Sequence, residues 1–182
     1  MEKNKFSIAI KNGVIAGLIY VLLLTLLYIF GYHSPLMFAL YKLIIYLIIL
    51  GIFFWAGYER KKQIGGYGDF KTIFQTILVC IVVTELIYAV YNYVYLNYVE
   101  PQFMDKFKQA TLDYLSNKGL TQEQIDQQME KMNSRTGEPN LKNTLIGIGI
   151  WIVVDSIFGL IFASILKKEK PMFQEPLSAE QQ

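Results

Sequence analysis

Four long apolar runs limit what this chain can fold into more than any other feature of its sequence. The hydrocarbon core of a bilayer is about 30 Å thick, and a helix needs about 20 apolar residues to cross it. The runs fall at roughly 14–32, 36–58, 72–98 and 141–166. Lys42 interrupts the second, Glu85 and Asn92 the third, and Lys142, Asn143 and Asp155 the fourth. A backbone surrounded by lipid has to satisfy its own hydrogen bonds, so each run is expected to be a helix. Barrel strands would be short and would alternate, which these do not. The expected fold is therefore all-α, a four-helix transmembrane bundle. With 53% hydrophobic and 18% charged residues, the composition excludes an ordinary soluble domain and a disordered chain. A net charge of +2 is too weak to suggest nucleic acid. The single cysteine, Cys80, excludes an intrachain disulfide and a thiolate metal cluster.

The first run follows a basic leader, as a secretory signal does. It is too long for one, and Gly31-Tyr-His-Ser34 is no small-x-small cleavage site. A retained span is expected. Orientation follows the lysines and arginines. Lys3, Lys5, Lys11, Arg60, Lys61, Lys62, Lys71, Lys167, Lys168 and Lys170 all fall on one side, against six acidic residues there. The connection between the third and fourth runs holds six basic and seven acidic residues. Both termini are therefore expected in the cytoplasm. Tyr28, Tyr32, Tyr91, Tyr93, Tyr95 and Tyr98 at the outer ends, and Trp55, Tyr58, Phe70 and Phe74 at the inner ones, suit interfacial belts.

Two connections have content of their own. The inner turn contains Arg60, Lys61 and Lys62, which suit anionic headgroups, and then Gly65, Gly66 and Gly68, which allow a sharp reversal. It lacks the strand and the Gly-Lys-Ser/Thr ending of a phosphate loop. The outer insertion, about 100–140, is expected to be a helical hairpin. Phe103, Phe107, Ala110 and Tyr114 make one apolar stripe. Gly119 suits a left-handed helix end. Thr121 to Gln124 suits a capping box. Ile125, Met129 and Met132 continue a second stripe, and Gly137-Glu-Pro139 closes the piece. These stripes cover either each other and the bundle, or a partner. An integral domain over 1–170 and a disordered tail over 171–182 complete the expected organisation.

The polar residues inside the runs carry most of the functional content, because a charge at mid-membrane is costly and faces the bundle interior or water. Glu85 lies roughly 20 Å of helix from the inner end of its run, and Asp155 reaches a similar depth from the other direction. Glu85, Tyr88, Asn92 and Tyr95 form one polar stripe. Gly149, Ser156, Gly159 and Ala163 form a small-residue face beside Asp155. Gly13 and Gly17 make a GxxxG, a pattern common by chance. One reading is an outward-opening polar cleft in which Glu85 and Asp155 take up and release a proton or cation; such a pair should not be ionised on both members. The alternative is hydrogen-bonded glue between helices. Lys42 either snorkels to the surface or reaches deeper to pair with Glu85. His33 stands alone, so no metal site is expected. No nucleophile, base and orienter converge, so neither catalysis nor a cofactor has positive support.

The basic leader, Arg60-Lys-Lys62 followed by Gly66-Tyr-Gly-Asp-Phe70, the tyrosine-rich stretch Tyr88 to Pro101, the helical insertion and the closing Lys167-Lys168 together resemble the domain of unknown function 4199 family. The resemblance extends to about Pro171. It implies a four-span protein of the bacterial inner membrane and supplies no catalytic residues. The leading functional expectation is a non-enzymatic subunit or assembly protein that docks a partner through the outer hairpin. The alternative is a small proton-coupled carrier, acting as a homo-oligomer through Glu85 and Asp155.

Overall fold

The computed structural model describes residues 6–136 and 140–168, side chains at 134–136 excepted. Six helices follow one another: α1 Ser7–Phe30, α2 Pro35–Gln63, α3 Phe70–Val94, α4 Phe103–Asn117, α5 Gln122–Thr136 and α6 Leu141–Leu166. A five-residue π-helical turn, Tyr95–Val99, extends α3. There is no strand among the described residues, only a single antiparallel bridge between Gly68 and Lys168. Four helices, α1, α2, α6 and α3 with its extension, are long and apolar enough to cross a membrane. This is the architecture of a multi-pass membrane protein, an all-α bundle with a helical hairpin inserted before the last span.

α3 is the central helix and packs on all three of the others. α1 and α3 approach each other closely. A Cβ on Gly13 would lie 2.9 Å from the Cys80 carbonyl oxygen and 2.8 Å from the Val83 Cβ, and one on Gly17 would lie 2.9 Å from the Ile87 Cβ. The Thr84 hydroxyl donates to the Gly13 carbonyl at 3.2 Å. The GxxxG therefore marks a real helix crossing, although its spacing alone is common by chance.

The two ends of the bundle are built differently. At the end we call the turn side, α1 begins seven residues earlier than its apolar run suggested, and α2 continues to Gln63. The reason is that polar side chains are satisfied there. Buried Asn12 donates to Glu59 Oε2 at 2.7 Å, and Lys11 pairs with Glu59 Oε1 at 3.1 Å. The Glu59-to-Lys62 stretch thus lies on a helix and not in a turn. Gly65 and Gly66, with φ of +86° and +83°, make the reversal. Gly68 and Lys168 exchange backbone hydrogen bonds of 2.9 and 3.0 Å, which ties the end of α6 to the turn. Asp69 caps α3 by accepting the Thr72 N–H at 3.0 Å, and the Thr72 hydroxyl, with that N–H, holds its carboxyl below the ordinary carboxylate range.

At the other end, the hairpin side, α4 lies on the bundle. Phe103 is buried against Tyr28 and Tyr95, and Phe107 meets Phe38 at 4.8 Å between ring centres. Gly119 has a φ of +73°. The Thr121 N–H donates to Gln124 Oε1, and the Gln124 N–H donates back to the Thr121 hydroxyl. Ile125 is buried and Met129 half-buried, while the rest of α5 is largely exposed and polar. The expected Gly137-Glu-Pro139 ending, the tail over 171–182, and Lys3, Lys5 and Lys170 lie outside the described residues.

Candidate functional site

Each span brings one hydrogen-bonding side chain or more to the middle of the bundle. α3 brings Glu85, which is 4% exposed, and α6 brings Asp155, which is 1% exposed. Their carboxyl groups are in hydrogen-bond contact. The Tyr46 hydroxyl from α2 donates to Asp155 Oδ1 at 2.6 Å. Tyr20 from α1 lies within electrostatic reach of both acids and stacks on Tyr88 at 4.8 Å between ring centres. Glu85 Oε2 is fully enclosed and receives no N–H or O–H from a donor among the described residues. A carboxylate oxygen shut away from water without a donor is strongly disfavoured. Two carboxyl groups can hydrogen-bond only when one of them carries a proton. Contact between the two therefore requires a proton on one member.

Of the side chains singled out in the sequence, the fold brings Glu85, Asp155 and Tyr88 together. Asn92, one turn beyond Tyr88, accepts the Tyr28 hydroxyl at 3.0 Å and so links α3 to α1. Lys42 makes no ion pair among the described residues, so pairing with Glu85 is absent. It lies half-buried on α2, one turn from Tyr46 towards the hairpin side. Arg60 bonds Gln63 at 2.6 Å within its own helix; it and Lys61 are half-buried, and Lys62 is exposed. The small-residue face of α6 divides in two. A Cβ on Gly159 would meet Ile77 at 3.2 Å, and Ala163 is fully buried, whereas one on Gly149 would meet nothing within 4 Å.

Sequence reasoning missed Tyr20 and Tyr46. Each is a phenol within an apolar run, where a tyrosine is also an ordinary packing residue, and only helix pairing turns it towards the acids. A groove of about 490 Å³ between α1 and α2, lined by Leu23, Leu27, Phe30, Tyr41, Ile44 and Ile48, carries no carboxylate or amine. No group of three or more metal-binding side chains occurs among the described residues.

A family model described as a protein of unknown function (DUF4199) matches residues 11–168. Comparison with curated proteins and with solved structures gives no match.

Proposed function

The chain belongs to the DUF4199 family of proteins of unknown function, and on that footing we propose that it is a proton-coupled carrier of the bacterial cytoplasmic membrane. In this reading the Glu85–Asp155 pair takes up one proton and releases it as a small solute or cation crosses. One observation carries the reading: two enclosed carboxyl groups in contact, with no donor for Glu85 Oε2 among the described residues. Tyr46 fixes Asp155, leaving Glu85 as the member free to change its bond. A buried acid pair contributed by two helices is a typical element of intramembrane proton handling. In this reading both termini face the cytoplasm, a direction supported by the basic residues that gather near one set of span ends in the sequence. Four spans leave little room for a private path through one chain, so the working unit is an oligomer.

The competing reading, a subunit that docks a partner through the outer hairpin, has less behind it. Phe103, Phe107 and Ile125, the residues that would attract a partner, are packed within the chain.

Infrared titration of the purified protein in lipid tests the reading. A protonated-carboxyl stretch that appears as pH falls, and that is altered in both Glu85→Gln and Asp155→Asn, is the expected result. If no titrating carboxyl band depends on these residues, the pair is structural glue and the reading fails.

A further inference from the structure

We propose that the acid pair exchanges its proton with one face of the membrane only, the hairpin side, through a relay of the Tyr20 and Tyr88 hydroxyls, while the turn side is closed by a dry apolar plug. The inference rests on the reading of Glu85 and Asp155 as a proton site and adds to it a route and a direction.

The plug comes first. On the turn side of the pair, Phe53 of α2, Ile73, Ile77 and Ile81 of α3, and Ala163 of α6 are all fully buried. They close on one another tightly enough that a Cβ on Gly57 would lie 2.8 Å from Ile77 and 2.9 Å from Leu166. The hydroxyls on this half of α3 are already committed. Thr76 donates to the Thr72 carbonyl at 3.0 Å, and Thr84 to the Cys80 and Gly13 carbonyls. A closely packed apolar interior does not hold water, because water needs several polar partners to stay. Among the described residues, no chain of hydrogen bonds leads from Glu85 to the turn.

Towards the hairpin side the character changes within one helical turn. Tyr88 is half-buried and stacks on Tyr20, whose hydroxyl is within electrostatic reach of Glu85 and Asp155. Tyr28 is in turn within reach of Tyr20 and Tyr88, and Asn92 holds its hydroxyl. On the same half of α6 the glycine positions are open, since a Cβ on Gly147 or Gly149 would meet nothing within 4 Å, while Trp151 still meets Tyr46 at 5.9 Å between ring centres. No direct hydrogen bond joins Tyr20 or Tyr88 to the acids among the described residues, so bridging water completes the relay, a link enthalpically close to a direct bond.

The step balances simply. The proton leaves the acid pair, and the pair is left with one more negative charge. At each phenol the oxygen accepts the arriving proton and gives up its own on the far side, so no tyrosinate remains. Asn92 has no proton to pass along its bond from Tyr28 and is a positioning residue.

The experiment uses the full chain in lipid vesicles sorted to one orientation, with protons released by light from a caged acid either in the lumen or in the bath. The readout is the rise of the carboxyl band that Glu85→Gln and Asp155→Asn alter. The proposal expects a fast response to release on the hairpin side and none of comparable speed from the turn side. In the double variant Tyr20→Phe/Tyr88→Phe, the hairpin-side response should slow on the order of 10²-fold, the lower end of what a positioned proton-transfer group contributes. An equal or faster response from the turn side overturns the direction, and an unslowed double variant overturns the relay; in both cases the proton site itself survives. A band that responds to neither face overturns the proposal and the proton site together.

Discussion

On the turn side of Glu85, helices α1, α2, α3 and α6 meet through Phe53, Ile73, Ile77, Ala163 and glycines that a single methyl would wedge apart. On the hairpin side α1 and α3 meet through phenols, an amide and a hydroxyl: Tyr20 on Tyr88, Tyr28 on Asn92, and Thr25 on Tyr91 at 2.7 Å. In lipid there is little hydrophobic drive between helices, so association depends on close packing or on interhelical hydrogen bonds. Around the acid pair this bundle relies on close apolar packing towards the turn, with hydrogen bonds such as Asn12 to Glu59 nearer its end, and on phenol hydrogen bonds between α1 and α3 towards the hairpin. The difference teaches where rigidity and where rearrangement can reside. Interlocked apolar side chains have few alternative arrangements, while phenol hydroxyls can exchange partners with water at low cost.

The comparison can be broken most severely through Phe53. Phe53→Ala should cost about 3–5 kcal/mol, as for other fully buried aromatic truncations, measured as reversible unfolding in bicelles; a cost near zero would mean that the turn-side core is not packed as described. Next comes a matched pair of glycine variants. Gly13→Ala should destabilise by about 1–3 kcal/mol, because its methyl meets a backbone carbonyl and a branched side chain. Gly149→Ala meets nothing and should be neutral or stabilise by up to about 1 kcal/mol from helix propensity. Equal effects of the two would erase the contrast between the halves. Outside the bundle, Thr121→Ala removes the α5 cap and should lower stability by about 1 kcal/mol. Its effect should show in hydrogen exchange of α5 and leave exchange in α3 unchanged. The smallest loss expected is that of Tyr46→Phe, roughly 0.6 kcal/mol for one interhelical hydrogen bond. Its clearer signature is a shift of the Asp155 carboxyl stretch.

Much of this was legible in the sequence, for identifiable reasons. Lipid imposes length and apolarity on a span, so the four runs announced themselves, and the last was bounded at the same residues as α6. Charge inside a run is costly enough that Glu85 and Asp155 stood out, and helix geometry put them at one depth. Local rules of turn and cap chemistry were readable too, as at Gly119 and Thr121. Pairing between helices was not readable. Asn12 and Glu59 satisfy each other across the α1–α2 contact, which lets both helices run past their apolar stretches, and neither residue signals the other in the chain. Tyr20 and Tyr46 look like any aromatic in a span until the neighbouring helix is known. The small residues of α6 suggested one continuous contact face, yet only those on the turn side of Asp155 face a close neighbour; spacing along one helix cannot say how far its partner follows it.

The division of the bundle into a closed and an open half can be tested in one protein. The native Cys80 is fully buried in the closed half, and Asn92→Cys places a second thiol in the open half. With a membrane-impermeant maleimide added to either face of oriented vesicles, position 92 should be modified from the hairpin side, and Cys80 should resist from both. Modification of Cys80 from the turn side, or an unreactive position 92, would contradict the account.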